Sequence, residues 1–434
     1  MSGRLKKVLV IGGGGREHAI VWKLRQSRRV GPIYCTPGNA GIARDALCFD
    51  APWGQNFSEL VRRALTLGID YTIVGPEAPL ADGIVDAFEA VGLKIFGPSR
   101  EAARIEASKS FAKEIMQAAR IPTAIAETFT DARAAQRFAR ELGAPLIVKA
   151  DGLAAGKGVV VAQTLDEAFA AIRANLVDRQ FGAASERIVV EEYLEGEEAS
   201  IMAFTDGNVI LPMASAQDHK RLHDGDIGPN TGGMGACSPA PVVTDELLDE
   251  VRETVFLPLH EELQRRGIVY KGVIYAGLMI TEEGPRVLEF NCRFGDPETQ
   301  VVLPRLKNDL LDIVEAVCEG RLCEHYLEWD PRTAVCVVMA ARGYPVAPEK
   351  GAVIEGLDDV MLDGRVLVFH SGTAQRGRDF VVAGGRVLSV TALHTSLPRA
   401  LHVAYQEIAR IRFDGARQVP HLTVYSYRQG ILSQ

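Results

Sequence analysis

Short apolar runs alternate with amphipathic segments from the N-terminus to near Ser99. The apolar runs have the length and β-branched content of strands, and they read KVLVIGGG, PIYCTPG, DYTIVGPE and LKIFGPS. The segments between them have helical spacing, and they read EHAIVWKLRQS, FSELVRRALTLG and GIVDAFEAVG. Regular alternation of strand and helix predicts a parallel, doubly wound sheet, and therefore an α/β fold for this region.

The pattern changes after this region. Residues 99–121 predict one long amphipathic helix with Ser99 as its N-cap. Strand and helix patterns then follow one another up to Leu194, which predicts a small α+β unit. Antiparallel strands around the turn TDGN come next, and the glycine-rich stretch Asp226–Pro241 predicts a long loop. From residue 330 onward, strands and one helix are predicted without a catalytic cluster, so we expect a structural role there.

The stretch PLIVKADGLAAGKGVVVA resembles a phosphate-binding loop, but it departs from the P-loop template. With the template lysine placed at Lys157, its first glycine falls on Asp151 and its Ser or Thr on Gly158. The following GVVVA is typical of a strand and not of a helix. We therefore predict a hairpin with a mobile tip, either as a lid over a ligand or as an ordinary hairpin whose glycines only supply positive φ.

The turn GGGGREH follows the first predicted strand. Gly12 and Gly14 match the dinucleotide fingerprint, but its third glycine is Glu17 and no acid is placed for a ribose, so an NAD site is not expected. The turn still offers backbone N–H groups and a helix N-terminus to a single phosphate. The turns PGNAG and GPEAPL are expected at the same sheet edge, unless they serve connectivity only.

Two predicted strands joined by TEEG carry the clearest chemistry. Glu289 and Asn291 are two residues apart on the second strand, so they share one face, and Arg293 extends that face if the strand continues. Carboxylate and amide oxygens are hard ligands that suit Mg²⁺ or Mn²⁺, with phosphate oxygens and water completing the shell. Arg293 is then placed to meet the charge of a transferring phosphoryl group. The alternative is a half-exposed strand with polar residues outward.

Composition narrows the class of protein. The chain has 434 residues, 47% of them hydrophobic, and a mean hydropathy of +0.04, which is typical of a globular protein with a sizeable core. A net charge of −8 argues against a nucleic-acid surface. The seven cysteines form no C-x-x-C pair, which favours a reducing, cytoplasmic setting. The apolar run at the N-terminus is too short for a signal peptide or a membrane span.

The order of these motifs resembles the ATP-grasp enzymes and, within them, the phosphoribosylamine–glycine ligase family. The matching motifs are VIGGGGREH, PGNAG, TIVGPEAPL, KIFGPS, VKADGLAAGKGV, EEYLEGEEAS, DHKR, GPNTGGMGA and EFNCRFGDPETQ. The resemblance implies a multidomain α/β protein. Its parts would be a Rossmann-like substrate domain (1–105), an ATP-grasp core (106–122 and 195–329), a lid subdomain (123–194) and a mixed α/β C-terminal domain (330–434).

The resemblance also implies roles for individual residues. Catalysis is assigned to Lys149, Arg293 and Asp296, and a bound Mg²⁺ or Mn²⁺ to Glu289 and Asn291. The expected ATP-binding residues are Lys109, Lys149, Gly156, Lys157, Glu191, Glu192, Tyr193, Leu194 and Glu198. The expected substrate-binding residues are Gly14, Gly15, Arg16, Glu17, Asn39, Pro76, Glu77, Asp218, Lys220 and Thr299. Lys109, Lys157, Glu192 and Glu198 are alternatively ordinary solvated side chains.

The implied reaction joins glycine to 5-phosphoribosylamine with ATP, through glycyl phosphate, in purine biosynthesis. Its partners are small molecules, with no nucleic acid or membrane, and the chain is expected to be a monomer or weak homo-oligomer. Gly277 stands where many ATP-grasp enzymes have an acid or Gln, which argues against a second fully protein-bound metal. A different ATP-grasp ligase or carboxylase and a non-catalytic nucleotide-binding protein remain as alternatives.

Overall fold

The N-terminal part of the chain folds as the predicted parallel sheet. The computed structural model describes residues 4–51, 53, 56–152, 158–225 and 227–418. The strands of this first sheet are Lys6–Gly12 (β1), Val30–Pro37 (β2), Leu47–Cys48 (β3), Tyr71–Val74 (β4) and Ile95–Phe96 (β5), in the order β3-β2-β1-β4-β5. The helices around it are Gly15–Leu24 (α1), Ser58–Leu67 (α2), Glu77–Asp82 (α3) and Ile84–Glu89 (α4).

This strand order determines where a ligand site can form. β1 lies between β2 and β4, and all three strands are parallel. Alternate residues of β1 face different cores: Leu9 and Ile11 pack with α2 and α4, whereas Val8 and Val10 pack with α1. Because both faces are covered, the carboxyl edge is left for binding, and the three polar turns predicted from the sequence all lie there.

The long helix predicted over residues 99–121 is broken in the structure. Ser99 does cap a helix, but that helix, Arg100–Ala107 (α5), ends at Ser108, and a second one covers Lys109–Ala118 (α6). Ser108 has an extended backbone, and its side chain accepts a hydrogen bond from Phe111 N–H. A serine that caps the next helix is more stable there than inside a continuous one. The break places Lys109 at a helix N-terminus.

The predicted α+β unit is present. Its elements are Ala126–Phe129 (β6), Ala132–Leu142 (α7), Leu146–Ala150 (β7), Val159–Ala162 (β8), Leu165–Leu176 (α8) and Ile188–Glu192 (β9). The strands form a second sheet in the order β6-β9-β7-β8. β7 and β8 pair antiparallel, as the hairpin prediction requires, whereas its tip, with Gly156 and Lys157, lies outside the described residues.

A third sheet carries the predicted metal pair. Its strands are Glu197–Thr205 (β10), Ile210–Pro212 (β11), Gly272–Thr281 (β16) and Gly284–Asn291 (β17), in the order β11-β10-β16-β17. Helices Asp245–Val251 (α9), Leu257–Arg265 (α10), Thr299–Arg305 (α11) and Leu310–Glu319 (α12) belong to the same region, with a π-helical segment between α9 and α10. β16 and β17 form the predicted hairpin.

The stretch predicted as the long loop Asp226–Pro241 contains strands. Gln217–Asp218 (β12) and Gly235–Ser238 (β15) join a fourth sheet in the order β12-β15-β18-β23-β20, whose other members are Thr333–Ala340 (β18), Leu367–His370 (β20) and Arg386–His394 (β23). Arg221–His223 (β13) and Ile227–Asn230 (β14) form a separate hairpin. The loop prediction is therefore wrong in part, because β15 is stabilised by a strand far away in the sequence.

The remaining C-terminal elements complete this region. They are Val353–Ile354 (β19), Leu357–Asp363 (α13), Thr373–Arg376 (β21), Asp379–Val382 (β22) and Leu397–Ile408 (α14). α14 packs on β18 and β23. The strands and helix predicted after residue 330 are thus confirmed. None of the described helices is long and apolar enough to cross a membrane.

Candidate active site

Two glycines bring the first two polar turns of the parallel sheet together. A Cβ on Gly13 would overlap the carbonyl oxygen of Gly38, so only glycine permits this approach. The side chain of Asn39 fixes the contact, because its amide donates to the carbonyl oxygens of Gly13 (2.9 Å) and His370 (2.8 Å). Its side-chain oxygen accepts hydrogen bonds from the backbone N–H groups of Gly41 and Ile42. Asn39 therefore shapes the turn through internal hydrogen bonds, and its role in substrate binding stays a prediction.

The start of α1 is held by an internal carboxylate. Glu17 is buried and accepts hydrogen bonds from Gly14 N–H (2.5 Å) and from Arg16 Nε (2.7 Å). Arg16 also donates to the carbonyl oxygen of Phe294 (2.9 Å), which connects this turn to the segment after β17. Glu17 occupies the position at which a dinucleotide fingerprint has its third glycine, so the turn lacks that fingerprint.

Arg293 lies between carboxylates from two different helices. Its guanidinium donates to Glu106 at the end of α5 (2.9 Å) and to Glu77 at the start of α3 (3.3 Å), and it also reaches Asn291 Oδ1 (3.2 Å). Burial raises the pKa of Glu106 above its ordinary value. The pKa of Glu77 is lowered, since Arg293 and Arg16 outweigh the opposing effect of burial. No sequence motif marks Glu106, which resembles many other glutamates within helices.

The two predicted metal ligands lie on one face of β17, as expected. Glu289 stands opposite Gly277 of β16. Burial opposes its ionisation, but Lys220, Lys149, Lys109 and Arg293 together lower the pKa of Glu289. Within the part of the chain that the structure describes, no group of three or more His, Cys, Asp or Glu side chains is arranged to hold a metal ion. The two oxygens suit a cation that takes its other ligands from a phosphate and water.

Lys149 reaches this area from β7 of the second sheet. Its ammonium donates to the carbonyl oxygen of Leu288 (3.2 Å), next to Glu289. It also forms an ion pair with Glu191, whose other oxygen is 2.8 Å from the ammonium of Lys113. Lys113 was not predicted as a site residue. The side chain of Glu191 is therefore engaged by two lysines, which leaves only its main chain for the adenine contact expected from the sequence.

Lys109 lies where α6 meets the base of the β7–β8 hairpin. Its ammonium donates to the carbonyl oxygen of Gly152 (3.3 Å), and burial lowers its pKa. Asp151 caps the same helix by accepting from the N–H (2.7 Å) and hydroxyl (2.8 Å) of Ser110. Lys109 is therefore not a solvated surface lysine, and its charge acts on Glu289.

The other predicted nucleotide contacts follow β9. The carboxylate of Glu192 accepts from Ile125 N–H (2.9 Å), Tyr193 is 39% exposed and Leu194 is buried. An exposed aromatic residue beside a buried leucine offers an apolar surface against which a flat base can pack.

A second group of charges lies between the third and fourth sheets. Glu198 of β10 pairs with Lys220 (2.5 Å). Burial is the main cause that raises the pKa of Asp218 to about 7; the charge of Lys220 opposes the rise, and Glu298 and Glu198 add to it. Such a carboxylate becomes fully ionised when a cationic group binds beside it. Thr299, predicted to bind substrate, is fully buried, and its hydroxyl donates to the carbonyl oxygen of Gly295.

A C-terminal arginine completes the site. Arg386 of β23 contacts the carboxylate of Asp296 (3.0 Å) and donates to the carbonyl oxygens of Asp296 (2.9 Å) and Gly232 (2.6 Å). The hydroxyl of Tyr344 accepts from Gly232 N–H (2.9 Å). The C-terminal region, for which we expect a structural role, thus contributes a side chain that contacts Asp296, a predicted catalytic residue. No sequence motif marked Arg386, because it reaches Asp296 only through the fold.

The remaining predicted positions are structural parts of the same edge. Pro76 is the N-cap residue of α3, and Gly15 is the first residue of α1. A Cβ on Gly15 would lie 2.6 Å from Gln300 Nε2, so the glycine permits close packing of α1 on the segment that carries Asp296.

Models of three parts of one protein family match the chain in sequence order. They are the N domain of phosphoribosylglycinamide synthetase over residues 6–106, its ATP-grasp (A) domain over residues 107–299 and its C domain over residues 334–418. The chain belongs to the phosphoribosylglycinamide synthetase family. The family predicted from the motifs is confirmed, and the α/β multidomain fold with it.

Relatives in the phosphoribosylglycinamide synthetase family are similar along nearly the whole chain. The phosphoribosylamine–glycine ligase of Caldanaerobacter subterraneus subsp. tengcongensis is 50% identical over 409 residues, which cover 94% of this chain and 97% of that protein. The enzyme of the same name from Neisseria meningitidis serogroup A is 51% identical over 413 residues, covering 94% and 96%.

Solved structures agree with the phosphoribosylglycinamide synthetase fold. The crystal structure of phosphoribosylamine–glycine ligase from Thermotoga maritima has a TM-score of 0.82 at 30% identity and covers 95% of this chain and 99% of that one. The biotin carboxylase domain of Hydrogenobacter thermophilus 2-oxoglutarate carboxylase, in complex with MgADP and bicarbonate, has a TM-score of 0.73 at 16% identity, covering 96% and 92%. At that identity the similarity concerns the fold alone.

Proposed function

We propose that this chain joins glycine to 5-phosphoribosylamine at the expense of ATP, giving glycinamide ribonucleotide, ADP and phosphate, in purine biosynthesis. The observation that carries this proposal is the near-complete overlap with phosphoribosylamine–glycine ligases at half identity. The site electrostatics agree with it, because four cationic side chains together lower the pKa of one carboxylate, that of Glu289. Cations in that number suit a triphosphate and its developing charge.

The chemistry requires an activated carboxylate. Glycine carboxylate does not react with an amine at neutral pH, because oxide is a very poor leaving group. Attack of the carboxylate on the γ-phosphate of ATP releases ADP and gives glycyl phosphate. The amine of 5-phosphoribosylamine then attacks the acyl carbon, loses a proton and expels phosphate. Such a transfer depends on positioning and charge neutralisation, which are what the fixed cations supply.

The nucleotide is assigned to the cleft between the second and third sheets. Lys109 and Lys149 bind its phosphates, and Glu198 binds its ribose. The segment Glu191–Leu194 holds the adenine, with Glu191 acting through its main chain. Gly156 and Lys157 remain assigned to the phosphate lid by the family resemblance alone. A water-poor cleft strengthens these contacts, since two charges about 4 Å apart interact by about 4 kcal/mol at an effective dielectric of 20, against about 1 kcal/mol in water.

Mg²⁺ or Mn²⁺ is assigned to Glu289 and Asn291. The donor set fits such an ion, because both ligands are hard oxygens and Asn291 Oδ1 faces the same cluster as Glu289. A carboxylase domain with the same fold holds MgADP. When bound, the ion neutralises phosphate charge during transfer.

The two substrates are assigned to opposite sides of Arg293. Asp218 and Lys220 hold the ammonium and carboxylate of glycine, and Arg293 faces the reacting groups. The phosphate of 5-phosphoribosylamine binds at the turn that begins α1, where Gly15 and Arg16 lie, and Glu77 faces its amine. Asp296 shares Arg386 with the glycine-rich segment at Gly232 and so positions that segment over the substrates.

These substrates are small molecules, and no nucleic acid or membrane takes part. We further propose a cytoplasmic monomer or weak homo-oligomer. The seven cysteines are all free thiols, which agrees with a reducing compartment.

Isotope transfer tests the intermediate. Glycine carrying ¹⁸O in its carboxylate is expected to deliver one labelled oxygen to inorganic phosphate, with ADP as the nucleotide product, because that oxygen bridges carbon and phosphorus in glycyl phosphate. Mass spectrometry of the phosphate measures the transfer. Unlabelled phosphate would contradict glycyl phosphate, and release of AMP with pyrophosphate would indicate adenylation. ADP release with bicarbonate but not with glycine would favour a carboxylase instead.

Arg386→Met tests the contribution of the C-terminal region. We expect the KM for 5-phosphoribosylamine to rise at least about tenfold, because a buried charge pair loses one partner. The KM for ATP should change little, since Arg386 contacts Asp296 and Gly232 and not the lysine cluster. Arg399→Met, an exposed arginine in α14, is the matched control. Unchanged kinetics in Arg386→Met would return the C-terminal region to a structural role.

A further inference from the structure

Three charged side chains are buried together behind the nucleotide cleft. The side chains of Lys113 and Lys149 are 7% and 8% exposed, and that of Glu191 is 1% exposed. Lys113 Nζ is 2.8 Å from one oxygen of Glu191, and Lys149 pairs with the other. Nothing in the sequence motifs or in the proposed roles uses Lys113.

The cluster joins the second and third sheets, between which the nucleotide is proposed to bind. Lys149 and Glu191 belong to the second sheet, whereas Lys113 belongs to α6, which also contacts β17 of the third sheet. Lys113 donates to Thr123 Oγ1 (2.8 Å), whose hydroxyl donates to the carbonyl oxygen of Val287 (2.6 Å). Lys113 is thereby fixed from the third-sheet side and presents its ammonium to Glu191.

The charges of this cluster do not balance. Two ammonium groups contact one carboxylate, and the next carboxylate that Lys149 faces, Glu289, is shared with three further cations. Burial of this excess positive charge is unfavourable, and burial lowers the pKa of Lys113. The pKa of Glu191 is lowered although burial opposes this, which keeps the carboxylate ionised between the lysines. An anion in the cleft would complete the balance.

We propose that Lys113 is a positioning residue for nucleotide binding, which neutralises Glu191 so that the charge of Lys149 stays available to the phosphates. This inference rests on the proposed function, because it takes the anion in the cleft to be ATP. Without Lys113, Glu191 and Lys149 form a closed neutral pair, and the phosphates lose the cation that faces them. Lys113 acts through Glu191 and does not itself contact the nucleotide.

The charge balance can be altered and restored with substitutions in the full chain. Lys113→Met leaves the cluster neutral, Lys113→Arg keeps its charge, and the double variant Lys113→Met with Glu191→Gln returns the net charge to that of the wild type. ADP affinity, measured by titration calorimetry, is expected to fall at least about tenfold in Lys113→Met. It is expected to stay within about threefold of the wild type in the other two.

Kinetics separate this role from a merely structural one. Lys113→Met should raise the KM for ATP and leave the KM for glycine unchanged, whereas a general loss of packing would alter both. Lys307→Met, at an exposed lysine before α12, is the control. If Lys113→Met does not fold, the double variant decides, because it buries the same neutral side chains with balanced charge.

Wild-type affinity in Lys113→Met overturns the proposal. Failure of the double variant to bind within about threefold of the wild type overturns it as well, because charge balance would then not be the cause. A wild-type protein that binds no ADP at all would contradict the proposed function, and the two failures are thereby distinguished.

Discussion

Replacing Glu289 by alanine is expected to lower turnover about a thousandfold while the protein stays folded. A bound metal ion contributes several kcal/mol to stabilising phosphoryl charge, and each 1.4 kcal/mol is worth about a factor of ten in rate. The loss also removes the carboxylate that the three lysines and Arg293 face, so their mutual repulsion is no longer offset. Steady-state ADP release at ordinary Mg²⁺ measures the effect, and circular dichroism confirms the fold.

Glu283→Ala provides the matched control for this experiment. Glu283 lies in the turn of the same β16–β17 hairpin, its side chain is 76% exposed, and it pairs with Arg286. Exposed pairs contribute about 0–1 kcal/mol, so turnover should be unchanged. Asn291→Ala should behave as Glu289→Ala does. Full activity in either of the two β17 variants would remove the metal assignment.

Replacing Arg293 by methionine is expected to lower kcat by roughly 100- to 1,000-fold, as loss of a group that stabilises developing charge does. ADP affinity should stay within about threefold, because Lys109 and Lys149 are untouched. Glu106 and Glu77 lose their shared partner, but Glu106 protonates readily because burial already raises its pKa. The protein should therefore fold. The expected outcome is that the rate of ADP release falls strongly while the affinity for ADP is retained.

The pH dependence of the Arg293→Met protein gives an independent readout. The folded-state pKa of Glu106 is already raised above its ordinary value by burial, and without Arg293 it rises further. The folded state then binds more protons than the unfolded one, so stability is lost as the pH rises. The deficit in melting temperature relative to the wild type should be larger at pH 8 than at pH 5.5. Arg62→Met, which breaks an exposed pair with Glu59, should show no such trend.

Local patterns in the sequence predicted most of the fold. The strand–helix alternation of the first sheet, the β7–β8 hairpin and the common face of Glu289 and Asn291 depend on spacing between near neighbours, and the structure has all of them. The broken helix at Ser108 could not be foreseen from amphipathicity alone. The first turn of the second helix is capped by Asp151, which is distant in the sequence and accepts two hydrogen bonds from Ser110.

Residues that act through distant contacts escaped the sequence analysis. Glu106, Lys113 and Arg386 are ordinary charged residues within a helix or strand, and nothing near them marks a site. Each gains its role from a partner at least 70 positions away, namely Arg293, Glu191 and Asp296. Asn39 and Thr299 belong to motifs of the family, but the structure shows internal hydrogen bonds for their side chains, so their contact with substrate stays a prediction.

The shared fourth sheet has a consequence for synthesis of the chain on the ribosome. β15 ends at Ser238, but its neighbour β18 begins only at Thr333, and β23 follows as late as Arg386. The strand edge at Gly235–Ser238 therefore emerges long before anything can cover it, and exposed strand edges are prone to aggregate. Nascent chains stalled before β18 should accordingly need a chaperone. A gene split between the central and C-terminal parts should yield two insoluble halves unless both are made together.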